Sequence, residues 1–266
     1  MKVLFEIFKE TEKLVERSAD FIQNQLGNVK NQQIETKSLN SLVSYVDKKA
    51  EEMLVEGCMK ILPEAGFITE EETIEKSADK EWLWIIDPLD GTTNFLHSLP
   101  FFSISVALQH RGKTVMGLVC EVNRRELFYA IKNEGAFLNG KKISCSSTEK
   151  LTDSLLATGF PYYDFGRREA YLKLLGELMP KSRGIRRLGS AALDLAYTAC
   201  GRFDAFFEYS LAPWDVAAGA FIVEEAGGIV TDFTGGDNYL YGKEIIATNR
   251  GINKEMSELL MSHFKA

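Results

Sequence analysis

Histidine, cysteine and proline are scarce in this chain of 266 residues, with 3, 4 and 6 copies. Cys58, Cys120, Cys145 and Cys200 lie far apart and form no CxxC pair, which excludes zinc ribbons and thioredoxin-type sites. Four cysteines are also too few for a disulfide-built scaffold of this length, so a reducing compartment is expected. Basic residues are outnumbered by acidic ones, 31 to 38, and the net charge of −7 argues against general affinity for nucleic acid or an anionic membrane. No run of about 18 apolar residues occurs, so no membrane span is expected. Glu6, Lys9, Glu10 and Glu12 interrupt any apolar stretch of a leader peptide. The expectation is a cytoplasmic protein with neither a membrane nor a nucleic-acid partner.

What is present is apolar material, 45% of the residues, enough for one large domain or two closely packed halves. Leu4, Ile7, Phe8, Leu14, Val15, Phe21 and Ile22 recur at helical spacing, predicting an opening amphipathic helix that ends near Gly27. Residues 28–41 are polar and read as a loop or an extended hairpin, and a second helix is expected from Asp47 to Leu62. Trp82 to Ile86 is a continuous apolar run, as in a strand buried on both faces. Phe102–Leu108, Thr114–Cys120 and Glu126–Ile131 follow at short spacing, and Asn139-Gly140 is a hairpin signal, so an antiparallel sheet is expected. Further on, helices are predicted over Arg168–Leu178, Ser190–Cys200, Trp214–Ala226 and Asn253–Phe264, with strands over Asp204–Glu208 and Ile245–Thr248. No repeat or linker divides the chain. The class is α/β (α+β), one unit over residues 1–266 with packed halves of about 1–145 and 146–266.

The segment Trp84-Ile85-Ile86-Asp87-Pro88-Leu89-Asp90-Gly91-Thr92-Thr93-Asn94 carries the most chemistry. An apolar strand runs into two carboxylates three residues apart, followed by a glycine and two hydroxyls. Pro88 blocks a ladder hydrogen bond, so the chain is expected to leave the sheet there and aim Asp87 and Asp90 at a common point. Gly91 permits close backbone approach to a ligand, and the amides that follow could face phosphate oxygens if a helix starts here. Taken alone the segment is equally readable as a strand-to-turn corner. Glu70-Glu71-Glu72 is by itself a solvated charge run, and Asp215 by itself an N-cap of the helix that follows. Together, Glu70, Asp87, Asp90 and Asp215 form an all-carboxylate set at element ends, which suits hard oxygen-seeking cations such as Mg²⁺ or Mn²⁺. A bound cation would also supply the positive charge that an acidic protein needs to handle an anionic substrate.

At these residues the sequence closely resembles the inositol monophosphatases, members of the Mg-dependent sugar phosphatase superfamily. The family motif W-I-I-D-P-[IL]-D-G-T-T-N-F reads here from Trp84 to Phe95 without a break, and W-D-x-A-A-G…E-A-G-G appears as Trp214–Gly219 and Glu225–Gly228. Phe67–Glu71 matches an F-I-x-E-E element, with Thr69 where the family commonly has glycine, and Gly189-Ser190-Ala191-Ala192 resembles its G-[ST]-A-A segment. The matches run in family order from about residue 37 to 232. Lys37 resembles a lysine of the family's active-site loop, but Ser41 and Ser44 replace its aspartate and threonine, which loosens the alignment there and any third metal site.

The resemblance implies a layered αβαβα sandwich, a homodimer, and Mg²⁺-dependent hydrolysis of a small polyol or sugar phosphate monoester, myo-inositol 1-phosphate foremost. It places two or three Mg²⁺ ions, with Mn²⁺ as a substitute, on Glu70, Asp87, the Leu89 carbonyl, Asp90 and Asp215. Glu70 and Thr92 would orient the attacking water, with Asp47 polarising the threonine hydroxyl. Gly91 and Thr92 would hold the phosphate. Gly189, Ser190, Ala191, Glu208 and Asp215 would complete the substrate site, with Glu208 accepting ring hydroxyls; on its own, Glu208 reads as a strand-end surface residue. His97 and the Arg186-Arg187 pair read as structural or solvent-facing. Asp87 and Asp90 are too far apart for an Asp-x-Asp nucleophile, which favours direct attack by water. Alternatives are the same chemistry on fructose 1,6-bisphosphate or adenosine 3′,5′-bisphosphate, or a regulatory RNA-associated role.

Overall fold

The computed structural model describes residues 2–29, 32, 34–38, 41–162 and 164–264. In chain order the elements are α1 (Lys2–Gln25), β1 (Ile34–Ser38), β2 (Ser41–Ser44), α2 (Tyr45–Ile61), β3 (Gly66–Thr69), β4 (Trp82–Asp90) and α3 (Thr92–Leu96). Then come β5 (Ser103–His110), β6 (Lys113–Glu121), β7 (Glu126–Ile131), β8 (Gly135–Leu138), β9 (Lys141–Ile143) and β10 (Leu155–Thr158). The rest are α4 (Arg168–Leu178), β11 (Gly184–Arg186), α5 (Ala191–Ala199), β12 (Ala205–Tyr209), α6 (Pro213–Glu225), β13 (Ile229–Thr231), β14 (Glu244–Thr248) and α7 (Asn253–Phe264). The polar stretch before α2 takes the hairpin form, β1 against β2. Among the described residues no helix is long and apolar enough to cross a membrane.

Three hydrophobic cores stack five layers. Phe8, Val15 and Ile22 of α1 and Val46, Ala50 and Leu54 of α2 pack on one face of the seven-stranded sheet β3-β4-β5-β6-β7-β8-β9, against Trp84, Ile86 and Val106. Ile85, Ala107 and Val119 on the opposite face meet α5 and α6, which also cover Phe206 and Ala247 of the second sheet. That second sheet, β11-β10-β12-β14-β13, carries α4 and α7 on its far side through Leu174, Phe207, Met256 and Leu260. The order is therefore αβαβα. The continuous apolar run of β4 follows from this position, because both of its faces are covered. Helix α6 is apolar all round for the same reason. Its approach needs Gly117 of β6, where a Cβ would stand 2.8 Å from the Ala218 carbonyl oxygen.

Strand β4 departs from the expectation at Pro88. The chain does not leave the sheet but continues to Asp90, with Asp87 opposite Ser105 and Asp90 opposite Ser103. Two residues, Pro88 and Leu89, thus face one, Ile104, in a β-bulge. The missing N–H of Pro88 is accommodated by the lost pairing, and the Leu89 N–H turns to the Asp87 carboxylate at 2.9 Å. Strands β10, β11 and β13 have no counterpart in the sequence reading, for they are only three or four residues long.

Candidate active site

The four carboxylates are delivered by three elements. Glu70 follows β3, Asp87 and Asp90 flank the bulge of β4, and Asp215 lies in the first turn of α6. Asp215 is at the third helical position and not at the N-cap, and its Oδ2 accepts the Ala212 N–H at 2.7 Å. The start of α6 is tied beside Asp87 by Ser105, whose hydroxyl donates to the Trp214 carbonyl at 3.1 Å. A recess of about 80 Å³ is lined by Glu70, Asp87, Leu89, Asp90, Gly91, Thr92 and Asp215, and among the described residues no lysine or arginine lines it. It adjoins a cleft of about 300 Å³ bounded by Gly159, Phe160, Arg187, Gly189, Ser190, Ala191 and Glu208, with Glu70, Asp90, Tyr162 and Asp215 common to both.

The electrostatics follow from that arrangement. Burial holds the Asp87 carboxyl well above its ordinary range, and the nearby charges of Glu70, Asp90 and Asp215 push it further. Burial raises Asp90 too, to about 6, against the lowering effect of its donors. Those donors are the Ser190 hydroxyl at 2.6 Å and the Ala192 N–H at 2.8 Å. Glu208, 8% exposed, is raised well above its usual range by burial and then by Asp215 and Asp90, while Arg187 works the other way. These are buried oxygen donors pressing on one another, with no nitrogen or sulfur ligand among them, which fits a hard divalent cation. The fit is one of donor chemistry and not of a finished shell: among the described residues no three His, Cys, Asp or Glu side chains close into a ligand cluster.

Asp47 and Thr92 meet across 45 residues of sequence. The Thr92 hydroxyl lies 2.9 Å from Asp47 Oδ1 and 3.0 Å from the Leu89 carbonyl oxygen, and its single proton serves one of them at a time. Asp47 is buried in the first turn of α2, and its Oδ2 accepts the Ser44 N–H at 2.8 Å and the Ser44 hydroxyl at 2.7 Å. Burial raises its carboxyl, with these three donors opposing the shift. Gly91 caps α3 at φ 95°, a left-handed conformation, and a Cβ there would stand 3.1 Å from the Phe101 carbonyl and 3.2 Å from that of Gly189.

Several expected residues sit differently from their sequence reading. Ser190 lines the cleft, yet its buried hydroxyl is engaged by Asp90 and Ser103 and is not directed at a polyol. It is the N-cap of α5, and that position turns its oxygen inward. Glu208 is no surface residue. Arg186 and His97 are exposed and line neither cavity, whereas Arg187, also exposed, borders the larger one. The side chain of Lys37 lies outside what the structure describes. Sequence reasoning missed Asn94, whose amide donates to the Phe101 carbonyl at 2.7 Å and the Leu188 carbonyl at 2.8 Å and so pins the 188–191 segment to α3. It also missed Glu51, four residues after Asp47 on the same face of α2, a spacing that was legible.

The sequence model of the inositol monophosphatase family matches residues 4–266. Inositol-1-monophosphatase of Rhizobium meliloti is 44% identical over 234 residues, 88% of each chain. Nus factor SuhB of Escherichia coli K12 is 45% identical over 220 residues, 83% of this chain and 82% of that one. The crystal structure of extragenic suppressor protein suhB from Bartonella henselae superposes with a TM-score of 0.89 at 38% identity, covering 96% of this chain and 98% of the other. The layered fold and the match over nearly its whole length define a phosphatase, of a class that acts on small phosphate esters and is generally metal-dependent. The chain belongs to the inositol monophosphatase family.

Proposed function

We propose that the chain hydrolyses a small polyol phosphate monoester, foremost myo-inositol 1-phosphate, to the free alcohol and phosphate in the presence of Mg²⁺, with Mn²⁺ able to replace it. The observation that carries this reading is the meeting of Glu70, Asp87, Asp90 and Asp215 in one recess, with Thr92 on its wall and Asp47 buried behind it as the hydroxyl's acceptor. Glu70, Asp87, the Leu89 carbonyl, Asp90 and Asp215 would hold two or three divalent cations. Such ions would supply positive charge to the phosphoryl oxygens, lower the pKa of a bound water and stabilise the leaving alkoxide.

The chain's own groups then orient the reaction. Thr92, donating to Asp47, presents its lone pairs to the attacking water, and Glu70 fixes that water from the other side. Gly91 and Thr92 hold the phosphate. The water oxygen bonds to phosphorus as its proton passes to Glu70, and the ester P–O bond breaks with its electron pair going to the departing oxygen. A water held near Asp215 protonates that oxygen, and the hydroxide so formed is neutralised by the proton Glu70 took up. Gly189, Ala191 and Glu208 face the polyol, and Ser190 serves by holding Asp90. Apolar side chains exposed between residues 160 and 179 (Phe160, Phe165, Leu172 and Met179) support a homodimer, and the composition supports a cytoplasmic location.

The test is phosphate release across myo-inositol 1-phosphate, fructose 1,6-bisphosphate, adenosine 3′,5′-bisphosphate and glycerol 2-phosphate, with and without Mg²⁺. The reading expects inositol phosphate to lead and all turnover to stop on chelation. A lead by either bisphosphate would transfer the same chemistry to that substrate, and turnover that survives chelation would overturn it. A second reading, a regulatory RNA-associated role, is favoured by the relatives that carry the name Nus factor SuhB. The net charge of −7 counts against it, and a salt-sensitive gel shift with RNA would support it.

A further inference from the structure

The strand end that faces Glu208 holds an unusual contact. A Cβ built on Gly159, the residue after β10, would lie 2.0 Å from Glu208 Oε2, 2.1 Å from Cδ and 2.1 Å from Oε1. Near-equal distances to all three atoms mean that the carboxylate lies flat against the Gly159 α-carbon. Glycine is not needed there for backbone reasons, because Gly159 is absent from the positive-φ glycines. The space left by its missing side chain is therefore what seats Glu208.

The backbone at this point cannot yield. The Gly159 carbonyl accepts the buried Tyr171 hydroxyl of α4 at 2.6 Å. Thr158 pairs with Phe207 in the parallel β10–β12 register, and its hydroxyl donates to the Phe207 carbonyl at 2.6 Å. The same hydroxyl touches Tyr171. Glu208 follows Phe207 on a strand that is also paired with β14 on its other side, opposite Ile245. Both main chains are thus fixed, and the one part free to move is the Glu208 side chain, toward the cleft that Gly159 and Glu208 both line.

We propose that Gly159 is a specificity-determining residue: by having no side chain it seats the Glu208 carboxylate for reading the hydroxyls of the leaving alcohol. The proposal rests on the reading that Glu208 faces that alcohol. Any larger residue at 159 lifts the carboxylate off its seat and into the volume a polyol ring would occupy. Gly159 lines the larger cleft and not the recess of Asp87, Leu89 and Thr92, so the phosphate end is spared by comparison.

The experiment compares kcat/KM for myo-inositol 1-phosphate with that for p-nitrophenyl phosphate, whose leaving group has no ring hydroxyls. Parent, Gly159→Ala, Glu208→Ala and the double variant are measured with Mg²⁺ present. Gly159→Ala is expected to lower the ratio of the two values on the order of 10- to 100-fold, the discrimination that a few polar contacts provide. Because the glycine acts through the carboxylate, the double variant should be no worse than Glu208→Ala alone. An unchanged ratio in Gly159→Ala, or fully additive losses in the double variant, overturns the proposal. An unchanged ratio in Glu208→Ala sinks instead the reading on which it rests. If Gly159→Ala alone melts below the assay temperature, the double variant, which lacks the clash, should regain the melting temperature of Glu208→Ala. A failure to regain it also overturns the proposal.

Discussion

Glu51 offers the sharpest test of how the site is held. It is fully buried in α2, and its carboxylate accepts the Glu71 N–H at 2.7 Å, the Thr73 N–H at 2.8 Å and the Thr73 hydroxyl at 2.8 Å. Those donors begin one residue after Glu70. The same helix presents Asp47 to Thr92 one turn earlier, so α2 positions both the threonine and the acid on the far wall. Glu51→Ala removes three charge-assisted bonds, each worth about 1.5–3 kcal/mol when fully shielded. Glu71 is only half-buried and Thr73 exposed, so water re-engages these donors and the loss falls to about 1 kcal/mol each. A total near 3 kcal/mol, at about 2–4 °C per kcal/mol for a chain of this size, lowers the melting temperature by about 6–12 °C. Loosening Glu70 should also raise the Mg²⁺ concentration for half-maximal phosphate release about 10-fold, as for outer partners of metal ligands. Glu51→Gln keeps one good acceptor and should lose about half as much stability. Differential scanning fluorimetry with a Mg²⁺ titration of activity measures both. An alanine variant that melts with the parent and keeps its Mg²⁺ midpoint would refute the reasoning.

Thr92→Val removes the hydroxyl between Asp47 and the reacting water and should lower kcat by about 10²- to 10⁴-fold while changing KM little; steady-state kinetics on inositol 1-phosphate would show otherwise if kcat stays within twofold. Asp194, buried in α5 with Oδ1 unpartnered, is held well above its usual range by burial and then by the Glu208 and Asp90 charges. The folded chain therefore keeps this proton to higher pH than the unfolded chain does. Its stability contribution is intact in acid and is lost as pH rises from the ordinary carboxylate range through the raised folded value. Asp194→Asn should accordingly gain melting temperature relative to the parent as pH rises across that window in chelator-containing buffer; parallel curves would contradict this.

Much of the layered order was legible because the outer helices show one apolar face and the long strands an apolar run. The helices at Arg168–Leu178 and Asn253–Phe264 fall where the periodicity puts them. The carboxylates were legible as a set because the motif around Asp87 and Asp90 has companions near Glu70 and Asp215. What sequence did not show was tertiary. The bulge at Pro88 depends on the register with β5, and the inward turn of Ser190 depends on Asp90 lying across from it, 100 residues away. Gly159 carries no local signal at all, since its role exists only where β10 and β12 run side by side.

The central claim is that acidic groups from separate stretches of the chain together hold divalent cations beside the Asp47–Thr92 pair. Anomalous diffraction from crystals soaked in Mn²⁺ tests it most directly. The account predicts peaks bounded by Glu70, Asp87, the Leu89 carbonyl, Asp90 and Asp215. Mn²⁺ bound elsewhere, with that recess free of signal at concentrations that support turnover, would contradict it.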